Sequence, residues 1–277
     1  MTSADRVLQV HRQTSGPRRA RACPGAALAL SRSPAQELAR EILRKDRAGD
    51  RCGRKPGHAV ARAFAAQGAC LILLERDGER QQGVARTSDP TEQLACLRVG
   101  ADLLDAQDLG RAVHAGIARF GRIDVLCNLA GAFTMGEAVH ETEPSTWDRL
   151  FDVNVKTVVH TCRAVVPHML SHGGGKVINT GAYAAQRGAA RMGPYIASKA
   201  ALIRLTETMS AELREHGINV NCVLPTILDT PENRMAMPEA DPKRWVSPAA
   251  LAQVIVFLAS EEASAIHGAA LPVSGLS

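Results

Sequence analysis

The chain has 277 residues, 45% of them hydrophobic and 22% charged, the balance of a globular protein with enough apolar content for a sizeable core. No uncharged stretch reaches the roughly 18 apolar residues of a membrane span, and no segment near the N-terminus has the charged-then-apolar pattern of a secretory signal, so a soluble, cytoplasmic protein is expected. The net charge of +5 divides unevenly: residues 1–57 carry 13 Lys and Arg against 5 Asp and Glu, leaving 20 against 23 for residues 58–277, so nucleic-acid binding by the main domain has no electrostatic support.

Residues 1–56 form an atypical segment rich in Arg, Ala, Ser and Pro, with apolar content only at 26–30 and 38–43. They read as disordered or weakly helical, and the run EILRKDRAGD (41–50) does not read as a buried strand. A mitochondrial presequence is a second reading of such a segment, against which its prolines and the lack of a clear amphipathic helix count.

From residue 57 to 277 short apolar runs alternate with amphipathic stretches, the mark of βαβ units in a doubly wound parallel sheet. The pattern predicts a helix over 58–67 ending at Gly68, a buried strand over 70–74, and an apolar run over 94–99 before a helix that ends near Phe120. A strand follows over 123–128, then a long helix from about 144 to 170 and a strand over 176–180. The helix carrying Tyr195 and Lys199 comes next, followed by a strand over 218–224, a helix from about 248 to 260 and a closing strand near 269–273. The seven cysteines lie far apart with no CxxC pair, which indicates neither a disulfide framework nor a zinc site. His168 and His172 have ligand spacing, but they fall where a helix ends before Gly173, and a positive helix terminus is the favoured reading over a metal site.

In GPYIASKAALIRLTETMSAEL a helix places Tyr195 and Lys199 on one face, so the ammonium can lie beneath the phenol and favour its ionised form. Such a phenol can donate and accept protons near neutral pH. Together with Asn128, Ala130 and Gly131 in CNLAG, Asn154 in FDVNVKTV, and Pro225 with Thr230 in LPTILDT, these residues resemble the short-chain dehydrogenase/reductase family, in family order over residues 57–277. The resemblance implies a Rossmann-type domain that binds NAD or NADP and moves a hydride to or from a carbonyl or imine-like substrate. Tyr195 would be the general acid, Lys199 would lower its pKa and hold the nicotinamide ribose, and Asn154, in a kink of the long helix, would hold a water linking Lys199 to solvent. Asn128, Ala130, Gly131, Pro225 and Thr230 would line the cofactor. The resemblance also implies a homodimer or homotetramer built from the two long helices and the closing strand.

Two departures qualify it. The family's catalytic Ser lies thirteen residues before the Tyr, where this chain has Ala182. Losing such a donor typically costs on the order of 10² to 10³ in rate. Thr180 would share a face with Ala182 if the strand persists and could partly substitute, while Tyr183 would point the other way. Alanine at this position and the run LPTILDTPENRMAMPEADPKRW resemble the dihydropteridine reductase branch, which brings an electron-poor pterin into the substrate class. The second departure is the phosphate loop: Gly57 fits its last glycine, but Lys55 and Arg51 occupy the other two positions and Gly53 is out of register. Glycines are needed there for a tight turn and close approach to the pyrophosphate.

Cofactor choice is set at the end of the second strand, where Glu75 falls at the NAD-selecting position and Arg76 follows it; the carboxylate favours NAD. Asp102 matches the family's adenine-contacting acid. Beside the enzyme stands an alternative: a family member with a lost phosphate loop, serving as a binding or oligomerisation module.

Overall fold

The computed structural model describes residues 41–45, 56–75 and 96–277, with the backbone alone for 41–45 and Glu75. Its centre is a seven-stranded parallel sheet in the order β3-β2-β1-β4-β5-β6-β7. The strands are β1 (Glu41–Lys45), β2 (Leu71–Glu75), β3 (Cys96–Gly100), β4 (Val125–Asn128), β5 (Gly175–Thr180), β6 (Ile218–Pro225) and β7 (Ala270–Val273). All four residues of β4 and all eight of β6 are buried, as expected where helices cover both faces of a parallel sheet.

Alternation along the strands sends side chains to two cores. Ile72, Leu74, Leu126, Val177, Ile218 and Val220 pack against helices α2 (Ala106–Phe120), α4 (Thr157–Ser171) and α5 (Gly193–Leu213). Leu71, Val125, Cys127, Ile178 and Val223 face the other way, into the core made with α1 (Pro56–Ala65) and α7 (Pro248–Ala259). Helix ends follow local chemistry. Asp105 caps α2 by accepting from the backbone N–H groups of Gln107 and Asp108, and Gly121 ends it at φ 85°.

The expected helix over 144–170 is three pieces: α3 (Pro144–Phe151), a π-helical turn (Asp152–Lys156) and α4. Asn154 sits inside the wide turn, so the expected kink is present as a π-bulge. A short helix that periodicity did not predict, α6 (Pro231–Ala236), follows β6 and is capped by Thr230.

One expectation is overturned. EILRK, read as no strand, is β1, and it pairs in parallel with both β2 and β4 through Leu43↔Leu73 and Leu43↔Cys127. The reason lies in the slot rather than in the segment's composition. Without β1, β2 and β4 would each present an open edge of unpaired backbone groups at the middle of the sheet. The rest of the segment 1–56 before Pro56, including Arg51, Gly53 and Lys55 at the positions expected for a phosphate loop, lies outside the described residues, as does Arg76. Among the described residues no helix is long and apolar enough to cross a membrane.

His168 and His172 stack with ring centroids 3.9 Å apart, and His168 Nε2 accepts a hydrogen bond from the Ile123 backbone N–H at 3.3 Å. Among the described residues no group of His, Cys, Asp and Glu could hold a metal ion.

Candidate active site

Asn128, Thr180 and Pro225 are the last residues of β4, β5 and β6. Because the strands are parallel, all three emerge on one edge of the sheet. The first turns of α5 lie over this edge and carry Tyr195 and Lys199. Lys199 is buried, and its ammonium donates to the Thr180 backbone carbonyl at 2.7 Å. Tyr195, one turn earlier, is half-buried and meets the Phe133 ring edge-on, with centroids 4.9 Å apart at 81°. Burial pushes its hydroxyl up to about 12. Burial is the cause of this rise, and the lowering expected from Lys199 does not offset it.

Asn154 is fully buried in the π-turn, and its amide is committed to the loop after β4. Its Oδ1 accepts from Ala132 N–H at 2.8 Å, and its Nδ2 donates to the Ala132 carbonyl at 3.1 Å and to Ser198 Oγ at 2.9 Å. Ser198 in turn donates to the Tyr195 carbonyl at 2.8 Å. The wide turn thus fixes both the 130–132 loop and the first turn of α5. Gly131 lies against the same group: a Cβ there would stand 3.0 Å from Lys199 Nζ and 3.2 Å from Asn154 Oδ1. A side chain at this position would require the ammonium or the amide to give way by a few tenths of an ångström.

Asn128 plays a packing part. Its Oδ1 accepts from Thr161 Oγ1 at 2.7 Å and its Nδ2 donates to Asn179 Oδ1 at 2.9 Å; Asn179 Nδ2 then donates to Thr206 Oγ1 at 2.9 Å. This buried chain runs from α4 through β4 and β5 to α5. It holds the sheet edge and the helix that bears Tyr195 in one register.

The remaining residues singled out in the sequence occupy the same edge or its extension. Ala130 is buried in the loop after β4, and Ala182 is buried just beyond β5. Pro225 ends β6, and Thr230 Oγ1 accepts from Asn233 N–H as the cap of α6. Gly57 is the second residue of α1. Glu75 ends β2, with its backbone paired to Gly100. Asp102, just past β3, accepts from the Leu104 N–H at 3.0 Å. The structure brings Tyr195, Lys199, Asn154 and Gly131 into one cluster; Glu75 and Asp102 stand two strands or more away, on the far side of β1.

Comparison with known proteins places the chain in a family. A family model described as enoyl-(acyl carrier protein) reductase covers residues 57–275. Dehydrogenase/reductase SDR family member 4 of Homo sapiens is 31% identical over 230 residues, 79% of this chain and 82% of that protein. The chain belongs to the short-chain dehydrogenase/reductase family. Another member, 2-(R)-hydroxypropyl-CoM dehydrogenase of Xanthobacter autotrophicus, is 34% identical over 231 residues, 79% of this chain and 92% of that enzyme. Among solved structures, 3-ketoacyl-(acyl-carrier-protein) reductase from Brucella melitensis, complexed with NADH, superposes with a TM-score of 0.72 at 28% identity. That match covers 87% of this chain and 98% of the reductase. L-sorbose reductase from Gluconobacter frateurii, with NADPH and L-sorbose, gives 0.74 at 25% identity, over 87% and 97% of the two chains.

In this short-chain dehydrogenase/reductase, sequence reasoning missed Ser198, which joins Asn154 to the Tyr195 backbone, and the chain through Thr161, Asn179 and Thr206. Ser198 had one available signal, its place three residues after Tyr195 and beside Lys199. The others stand in apolar stretches where an isolated Thr or Asn reads as an ordinary strand or helix residue.

Proposed function

We propose that the chain is an NAD(P)-dependent oxidoreductase that transfers hydride between a nicotinamide cofactor and a small carbonyl or imine-like substrate, with Tyr195 as the general acid. One observation carries this reading: a half-buried phenol stands one helical turn from a buried ammonium, over the C-terminal edge of a parallel sheet. Two features suit a nicotinamide at this edge. Gly131 leaves the space beside Lys199 open, and Thr180 Oγ1 is a buried hydroxyl with no hydrogen-bond partner among the described residues. Asn128, Ala130, Gly131, Pro225 and Thr230 would line the nicotinamide half of the cofactor, and Gly57, Glu75, Arg76 and Asp102 the adenosine half. A carboxylate at Glu75 repels a 2′-phosphate and so favours NAD over NADP.

When bound, the reduced cofactor supplies the hydride. The protein's own task is to deliver a proton to the substrate atom that becomes negative, and the Tyr195 hydroxyl does this. Lys199 places a positive charge next to the phenolate that remains, and Asn154 keeps the helix turn under both residues from shifting. With Ala182 in place of a hydroxyl-bearing residue, the site polarises the substrate weakly, which suits an acceptor that is already electron-poor, a quinonoid dihydropterin among them. The exposed apolar residues Val159 and Leu170 on α4 and Leu271 on β7 support a homodimer or homotetramer.

Fluorescence titration with NADH and NADPH, followed by turnover on a panel of ketones, sugars and quinonoid dihydropterin, tests the reading. Saturable binding, tighter for NADH, and loss of turnover in Tyr195→Phe are expected. A folded sample that binds neither coenzyme would overturn it and leave the chain as a binding or oligomerisation module.

A further inference from the structure

Thr180 closes β5, and strand alternation decides where its side chain goes. Asn179 and Gly181 face α5: Asn179 Nδ2 donates to Thr206, and a Cβ on Gly181 would meet Leu224, Cys222 and Ile203. Thr180 therefore belongs to the opposite face, the one that carries Ile178 into the core with α1 and α7. Its backbone carbonyl accepts the Lys199 ammonium, yet its Oγ1 is buried and has no hydrogen-bond partner among the described residues. Valine would fill the same volume without an unsatisfied hydroxyl, so a threonine here is unfavourable until something bonds to it.

The place of this hydroxyl narrows what that partner is. It is attached to the residue that anchors Lys199, so it lies at the reacting end of the site rather than along the adenosine half. It is neutral and can both donate and accept, which suits an amide and offers no charge to a phosphate. We propose that Thr180 is a coenzyme-binding residue whose hydroxyl bonds the carboxamide of the nicotinamide ring; this rests on the reading of the chain as a dinucleotide-dependent oxidoreductase. Such a bond would hold the ring at the Tyr195 end of the site. Thr180 is thus not a replacement for the donor missing at Ala182.

Calorimetric titration of the full chain with NADH and with ADP-ribose, which lacks the nicotinamide, tests this in the wild type, Thr180→Val and Thr180→Ser. Thr180→Val is expected to weaken NADH about tenfold, the worth of one net hydrogen bond, with ADP-ribose changed by less than about twofold. Thr180→Ser, which keeps the hydroxyl, should hold NADH within about threefold of the wild type. Thr180→Ala gives the same comparison should the valine variant fail to fold. Unchanged NADH affinity in the variants without the hydroxyl overturns the proposal, as does an equal loss for both ligands, which would mark a packing role. Wild-type protein that binds neither ligand overturns the dinucleotide reading and the proposal together.

Discussion

Burial raises the pH at which the Tyr195 phenol gives up its proton. An acid whose folded-state value is raised to about 12 from the usual 10 favours the protonated form in the folded chain. Its contribution to stability is complete below about pH 10 and is lost as pH climbs through about 12, because the unfolded chain gives up the proton first. The chain has two tyrosines, Tyr183 and Tyr195, so the ultraviolet difference titration between wild type and Tyr195→Phe isolates this group, and its midpoint should lie near 12 in ligand-free protein. The same substitution should lower turnover by about 10² to 10⁴, the ordinary worth of a positioned acid. The spacing of Tyr195 and Lys199 was plain in the sequence, but the dominance of burial over the ammonium was not. Burial is set by the tertiary surroundings, among them Phe133, a residue 62 positions away that packs edge-on against the phenol.

At the scale of elements, the π-turn and the polar chain around Asn128 hold the C-terminal edge of the sheet and α5 in register. Asn154→Ala would strip the partners from a buried Ala132 N–H and carbonyl and from Ser198, and should cost about 2–4 kcal/mol in urea unfolding. Asn128→Leu would leave Thr161 and Asn179 short of partners and should cost a similar amount, about 2–4 kcal/mol. The buried strands β2, β4, β5 and β6 were legible as apolar runs, since being covered on both faces removes the need for polar residues. Their ends were read a residue or two off because backbone pairing, which leaves no trace in composition, sets them. Asn154 signalled a kink through its motif, whereas the width of the turn follows from bonds to Ala132, which no local pattern encodes. Strand β1 was misread for a related reason: Glu41–Lys45 is placed by its neighbours on both sides, and side-chain periodicity is silent about that.

For the whole molecule, the sheet's continuity rests on this central strand. Leu43→Pro would remove a ladder donor and force the backbone between β2 and β4, and should cost about 3 kcal/mol or more, read as a lowered urea midpoint or an insoluble product. A second global dependence comes from the stacked pair at the end of α4. His168 is held below its ordinary value chiefly by burial, then by His172 and Arg122, with Asp124 opposing. On acidification the unfolded chain takes up this proton first, so stability should decline as pH falls below about 6.5. His168→Gln should flatten that decline when urea midpoints at pH 7.5 and 5.5 are compared. The position of β1 also has a consequence in time. During synthesis Leu43 leaves the ribosome before one partner, Leu73, and long before the other, Cys127, which follows only after α1, β2, β3 and α2. The middle of the sheet thus stays open until β4 emerges, and until then the half-made chain must keep the unpaired flank of β1 out of reach of other chains.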